Sequence, residues 1–424
     1  MLSRLAASAA LVVVLVAAAP ARADDRLTLD DAFARVAAFH PDLRLPALRS
    51  EVLSAERDAA SQAPPLRAGV ELENAFGSGA YAGLDSAELT LTLASVLERG
   101  GKREARRALA QGRIDALAPE REAARLDLLA ETARRYLDMI GATRQGDLAQ
   151  ADIAQRQRTV SAARLRVQAG ASPESVLLTA QAALARAELE QRRAMQAQEA
   201  ARQHLAALWG EREPTFTPAA TDPLALLAIA DFGALAALLE RTPELTAFAD
   251  RRRIGEARLQ LARSQARADI DWSLGARAFN DGDDVALVAA ASIPLGSARR
   301  AQPEVRAAQA ELAMLEVERE SRGISLYSTL ADAHGRYRVA QLEVVRLGDD
   351  VLPRLARAEA AAERAYRAGA ISYLEWAQLQ SERTATARQQ LDAALQAQRA
   401  LIEIQRLTGE SLVLPVARQN GDTP

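Results

Sequence analysis

The chain has 424 residues, a net charge of −3, 4% aromatic residues and no cysteine. The near-balanced charge, with no basic patch interleaved with aromatics, argues against a nucleic-acid surface. The missing thiols exclude disulfides, thiolate metal sites and a lipid-anchoring cysteine. Ala, Leu, Arg, Gln and Glu are abundant, a mix that favours long helices over a compact aromatic core.

Residues 1–23 read as a secretory signal peptide. Arg4 is the basic start, Leu5 to Ala19 the apolar run, and Ala21-Arg22-Ala23 the small-residue cleavage site. The chain is therefore expected to be exported. The mature sequence repeats itself once. His40-Pro41-Asp42-Leu43 returns as Thr242-Pro243-Glu244-Leu245, and Ser61-Gln62-Ala63 as Ser264-Gln265-Ala266. Val167 to Ala171 returns as Tyr366 to Ala370, and Gly210-Glu211 as Gly409-Glu410. The offsets stay between 199 and 203, so two copies of one unit build the mature protein. The first copy spans 24–210, with strands within 66–97 and a helical hairpin over 102–209. A connecting, equatorial segment covers 211–231. The second copy spans 232–410, with strands within 269–293 and a hairpin over 302–408, and a tail covers 411–424.

Each copy has the same internal order. A short helix opens it, over 41–62 and 243–267, with proline in the first turn where its missing N–H is tolerated. The apolar run Leu224 to Leu239 reads as a loop leading into a buried helix, matching Leu27 to Phe39. Two alternating segments come next. In Arg67 to Phe76, Val70, Leu72, Asn74 and Phe76 oppose Glu71 and Glu73; in Asp85 to Leu97, Leu89, Leu91 and Leu93 oppose Thr90 and Thr92. Ile270, Trp272, Leu274 and Ala276 oppose Asp271, Ser273 and Arg277, and Val285 to Ile293 is a fourth run. Period-two patterning of this length predicts strands with one wet and one greasy face. Residues 77–83 and 280–284 carry turn chemistry.

Long helices then take over. Residues 102–168 and 303–367 have few breakers, so each spans roughly 100 Å. Pro119 and Pro353 are expected to kink them. Each ends at Ala-Gly-Ala, and return helices come next over 173–208 and 371–407. The opening and return helices together match the long helix in length, so two shorter helices are expected to stack beside it. Four strands cannot close a barrel, since the smallest membrane barrels have about eight. Three copies would supply twelve strands and the partners that the helices need.

The order of these elements resembles the TolC-like outer membrane efflux proteins. Leu29-Asp30-Asp31-Ala32 through His40-Pro41-Asp42-Leu43 resembles the family's opening segment. Leu97-Glu98-Arg99-Gly100-Gly101-Lys102-Arg103 is similar to the strand-to-helix junction of its heavy-metal cation, CzcC-like branch. The resemblance implies a homotrimer, mainly α with a twelve-stranded membrane β-barrel in outer membrane lipid and an α-barrel in the periplasm. It implies the exit duct of a tripartite pump, with a periplasmic adaptor (membrane fusion) protein and an inner membrane transporter of the RND type. The cargo would be divalent heavy-metal cations. A multidrug or type I secretion outlet is the alternative; an adaptor or a coiled-coil scaffold fits less well, because the hairpin is duplicated and strand pairs are present.

The resemblance also assigns residues. Gly170 and Gly369 become the periplasmic tip turns, and Arg164, Arg166, Ser172, Arg364, Arg367 and Ser372 the candidate adaptor contacts. Glu375 is the candidate pore-entrance gate, with Glu174 adding charge. Phe76, Tyr81, Trp272 and Phe279 are candidate membrane-interface aromatics. Residues 214–222 and 412–424 would form a belt around the helical barrel. Trp209 and Trp376 read as packing residues. His40, His204 and His334 are scattered, so no metal or cofactor site is expected. No catalytic motif is present, and no enzyme activity is expected.

Overall fold

The computed structural model describes residues 26–282 and 284–414. The expected signal peptide and the tail beyond Leu414 lie outside the described residues. In the first copy β1 (Arg26–Leu27) leads into α1 (Leu29–Phe39) and α2 (Leu45–Ala60). Thr28 and Asp31 cap α1 reciprocally, each side chain accepting the other's backbone N–H. Then come β2 (Arg67–Glu73), β3 (Glu88–Leu97), α3 (Lys102–Asp115), α4 (Leu117–Gln168) and the return helix α5 (Glu174–Ala206). β4 (Thr217–Pro218) pairs in parallel with β1. The second copy is α6 (Phe232–Leu238), α7 (Pro243–Ser264), β5 (Ile270–Phe279), β6 (Val285–Ser292), α8 (Ser297–Arg346), α9 (Leu352–Arg367) and the return helix α10 (Tyr373–Thr408). Leu224 to Leu239 is a loop followed by α6, with Leu235 and Leu239 buried.

Each long helix breaks just upstream of its proline. α3 gives way to α4 at Ala116, which leaves Pro119 in the first turn of α4, where no helical bond is lost. The second long helix starts at Ser297 and not at Pro303, because Gly296 in the left-handed conformation (φ 79°) opens it earlier. Between α8 and α9 the backbone forms a π turn over Leu347–Val351, directly before Pro353.

α2 lies along α3 and α5 along α4, so two shorter helices flank a long one. α7 and α10 flank α8 and α9 in the same way, and α10 also packs on α4, which joins the copies. Ala133, Ala163, Ala180, Ala187, Ala394 and Ala397 are buried in these seams, where small side chains allow close helix approach. Two tyrosines fasten the irregular segments to the long helices. Tyr136 and Tyr337 are repeat equivalents, both buried. The Tyr136 hydroxyl donates to the Leu27 carbonyl at 2.9 Å, and the Tyr337 hydroxyl to the Leu227 carbonyl. Burial pushes both phenols above their ordinary pKa.

The strands form one antiparallel four-stranded sheet in the order β2-β3-β5-β6. The register places Val70 opposite Leu91, Leu91 opposite Ala276, and Ala276 opposite Leu287. This row and its neighbours Leu72, Leu89, Leu93, Trp272, Leu274, Val285 and Ala289 make one apolar face. The polar side chains take the other face: Glu71, Thr90, Arg277, Glu73, Glu88, Thr92, Ser273 and Asp271. The apolar face is the bare one. Leu287 is 84% exposed and Val70 73%, whereas Thr90 is 1% exposed. In water this arrangement is inverted; in a bilayer it is the stable one. Among the described residues β2 and β6 each have a partner on one side only, so the sheet carries two open edges.

β2 stops at Glu73, short of Phe76. Asn74 and Phe76 have positive φ (56° and 57°), which takes them out of the strand alternation. β3 starts at Glu88 rather than Asp85.

The sheet meets the helices at a charged clip. Asp269, just before β5, accepts the Arg99 N–H at 2.9 Å and the Lys102 ammonium at 2.7 Å. Lys102 is the chain's single lysine and is buried. Arg106 grips Glu98 with two bonds of 2.6 and 2.9 Å. The Arg106 bonds hold the Glu98 carboxyl below its usual range. Burial raises the Asp269 carboxyl, but the bonds from Lys102 and Arg99 outweigh it and hold the group low. Carboxylates depressed in the folded state stabilise it above their unfolded pKa, near 4.5 and 3.8, and lose that contribution as pH falls through the folded values. Thermal stability is therefore expected to drop below about pH 4. The Glu98→Gln/Asp269→Asn variant should show a flatter acid limb in a melting series from neutral to acid pH.

Candidate functional site: the hairpin tip

Both hairpins turn in the same way. Gly170 (φ 67°) and Gly369 (φ 81°) sit in the left-handed conformation after α4 and α9. The Ala171 N–H reaches back to the Arg166 carbonyl at 2.8 Å, and the Ala370 N–H to the Ala365 carbonyl at 2.9 Å. These six-residue closures are what glycine permits at a helix end. The two turns occupy equivalent places in the repeat.

The candidate contacts divide into two groups. Arg166 works inside the chain. Its guanidinium donates to Ser172 Oγ at 3.2 Å, to the Ala171 carbonyl at 3.2 Å and to the Tyr366 carbonyl, and it stacks on the Tyr366 ring at 4.9 Å. It thereby fastens the first turn to the second. Ser172 is its acceptor, and Ser372 is the cap of α10. Arg367 pairs with Glu363. Arg164 and Arg364 are exposed and make no ion pair among the described residues. They are the pair free to meet another molecule. Arg158, exposed on α4, lines a groove of 580 Å³ beside them together with Leu165, Arg166, Tyr366 and Arg367.

Glu375 completes a capping box. Its carboxylate accepts the Ser372 N–H and the Ser372 hydroxyl, both at 2.8 Å, and its own N–H donates to Ser372 Oγ at 3.3 Å. The Ser372 N–H, then its hydroxyl, hold the carboxyl below its usual range. One oxygen is thus engaged in the cap, and the other remains available. Glu174 is exposed in the first turn of α5, without a side-chain cap bond at that end.

Behind the turns lies an aromatic knot. Trp376, 1% exposed, packs on Tyr366 with ring centres 5.1 Å apart, and Tyr373 stands edge-on to Tyr366 at 6.4 Å. Trp209 packs on Phe216 at 5.7 Å. Both tryptophans are packing residues, as their setting in the sequence predicts.

Above the knot the two hairpins meet through polar side chains, a feature not expected from the sequence. Asp152, Gln155, Arg156 and Thr159 of α4 are buried, as are Glu359 of α9 and Gln380 of α10. Arg156 donates to Asp152 at 3.2 Å and to Ser381 at 3.2 Å. Thr159 and Gln380 exchange bonds, Gln155 and Arg383 both reach Glu359, and Thr384 reaches Asp152. The signal was present in the chain: 152, 156 and 159 share the helical stripe of buried Ala149 and Ala163, so charge stands on a core-facing stripe.

At the sheet, Trp272 lies on the bare face at the end nearest the helices. Phe76, 75% exposed, and Tyr81 sit beyond the other end, in the loop that joins β2 and β3. Phe279 pairs with Glu88 on the parity of Arg277, so the register moves it to the polar face and out of the expected aromatic girdle.

Residues 23–211 match the family described as outer membrane efflux protein. Over 284 residues the chain is 30% identical to the cobalt-zinc-cadmium resistance protein CzcC of Cupriavidus metallidurans, covering 66% of this chain and 67% of that protein. The chain belongs to the outer membrane efflux protein family. The resemblance read from its opening segment and its Leu97–Arg103 junction is therefore correct. Solved structures extend the efflux-protein fold over nine-tenths of the chain. CusC aligns with a TM-score of 0.76 at 17% identity, over 92% of this chain and 93% of CusC. A membrane protein from Pseudomonas aeruginosa aligns with a TM-score of 0.75 at 20% identity, over 90% of each chain.

Proposed function

We propose that the protein is the outer membrane exit duct of a tripartite efflux pump, a channel and not an enzyme. One observation carries the reading: a four-stranded sheet with two open edges, a bare apolar face and a polar face. Three such sheets joined edge to edge close a twelve-stranded barrel with the apolar face toward lipid. The long hairpins continue the duct into the periplasm as an α-barrel, and the irregular segment 214–222 belts its middle. The polar face then lines the pore. It offers Glu71, Glu73, Glu88 and Asp271 against Arg67 and Arg277, an excess of carboxylates that favours cations. Glu375 and Glu174 add carboxylates at the periplasmic entrance.

The cargo is inferred from this charge and from the relative named for cobalt, zinc and cadmium resistance: divalent heavy-metal cations, delivered by an inner membrane transporter of the RND type through a periplasmic adaptor. The test is conductance in planar bilayers under a salt gradient. A cation-selective pore is expected; anion selectivity would remove the metal-cation reading, and no conductance would remove the duct.

Arg164 and Arg364 are the adaptor contacts this tip leaves free. The Arg164→Glu/Arg364→Glu variant is expected to weaken adaptor capture by about tenfold while the particle stays assembled, because exposed charges act on association more than on folding. Unchanged capture would move the docking site elsewhere.

A further inference from the structure

Like charges face each other at the end of the sheet away from the helices. Glu73 of β2 and Glu88 of β3 are register partners on the polar face. Side chains paired in this way stand about 5 Å apart at Cβ, and two carboxylates directly opposite repel. Arg277 of β5 lies between them. Its Nη1 donates to Glu88 Oε2 at 2.7 Å, its Nη2 is 2.8 Å from Glu73 Oε2, and its Nε donates to Thr90 Oγ1 at 2.9 Å. Thr90 is buried, so the guanidinium is held in place on its third side. Asn74, turned out of the strand by its positive φ, donates Nδ2 to the other Glu88 oxygen at 2.9 Å.

The carboxylate of Glu73 depends on this arginine. Its Oε2 is buried and makes no hydrogen bond among the described residues, so the guanidinium charge beside it is the compensation it has. Without that charge the oxygen would draw another cation. Two facing carboxylates are what a calcium-sized divalent ion binds. In the wall of a duct such a pair has opposed effects. Carboxylates draw cations in, but conduction needs sites weak enough to release them. An arginine meets both needs. Its charge is permanent and its fork fits two carboxylates. Its backbone is paired to the neighbouring strand, so it cannot leave with the cargo.

We propose that Arg277 is a selectivity-determining residue of the pore. It fills the Glu73–Glu88 pair as a tethered cation and keeps divalent ions from lodging there. Two carboxylates and one guanidinium still leave a net negative charge at this level of each chain. Glu71, two residues along the same face, is exposed and has no ion pair among the described residues, so it adds a free carboxylate to the wall. The inference rests on the duct reading, which turns the polar face toward the lumen.

Conductance in planar bilayers, with calcium chloride added to a potassium chloride bath, tests the role. Arg277→Gln is expected to be half-blocked within about 0.1–1 mM calcium, the range of loosely built calcium sites, and the native pore to pass that range without block. Block of both proteins alike, or of neither, overturns the proposal. Glu73→Gln/Glu88→Gln tests the charge with the arginine kept, and it decides the matter if Arg277→Gln yields no particle. It leaves a net positive charge at this level and should lower the cation-to-anion permeability ratio by at least about twofold. An unchanged ratio would reduce Arg277 to a fastener between strands and overturn the proposal. Calorimetric titration of the detergent-extracted particle with calcium separates this inference from the duct. Arg277→Gln should take up one calcium per chain more than the native protein. That gain in a particle that never conducts would support the occupied pair and overturn the duct. A conducting particle without the gain would overturn the occupied pair alone.

Discussion

Leu274→Arg will remove the protein from the outer membrane, and Ser273→Arg, one residue away, will not. Leu274 lies mid-strand on the bare apolar face, between Leu93 and Ala289. A guanidinium there meets hydrocarbon at about 2–4 kcal/mol per chain, and a trimer carries that penalty three times. Ser273 faces the other way, with Ala94 and Ala290 as neighbours and Arg277 two residues along the same face. An arginine at 273 enters a lining that already holds one. Heat-resistant particles in the outer membrane fraction, counted for both variants, check the parity. Equal loss would mean that the strands do not present one face to lipid.

The second large effect is expected at Arg156. Its guanidinium and the Asp152 carboxylate are each 9% exposed, one helical turn apart. Removing one member of a buried pair leaves an uncompensated charge, at about 3–5 kcal/mol. Arg156→Ala should therefore lower the melting temperature and expose the tip to protease, since Asp152 keeps only the Thr384 hydroxyl as side-chain partner. Asp152→Asn/Arg156→Gln removes both charges and should recover a large part of the loss. A single variant no worse than the double one would show that water already reaches the pair.

The order of helices and strands was legible in the sequence because its signals are periodic. A 200-residue repeat, a period of two in the strands and alanine-rich helical runs all survive in one dimension. Pro353 marked the bend but not its form, a π turn over Leu347–Val351 directly before it. The polar layer around Arg156 was hidden because its partners are more than 200 residues away. Glu375 is a different case. Ser372-x-x-Glu375 is a capping-box pattern that the sequence displays openly, and the structure gives the residue that role. Phe76 left its strand because Asn74 and Phe76 adopt positive φ, which alternation alone does not reveal. Arg166 resembled a surface charge until the second turn came to lie under it.

The mass of the particle extracted from the outer membrane in mild detergent tests the closed duct most directly. Three chains per particle are predicted, because three four-stranded sheets are what closes the barrel and covers both open edges. A single chain recovered from the soluble periplasmic fraction would contradict it, since the bare apolar face and both edges would then have no place to go.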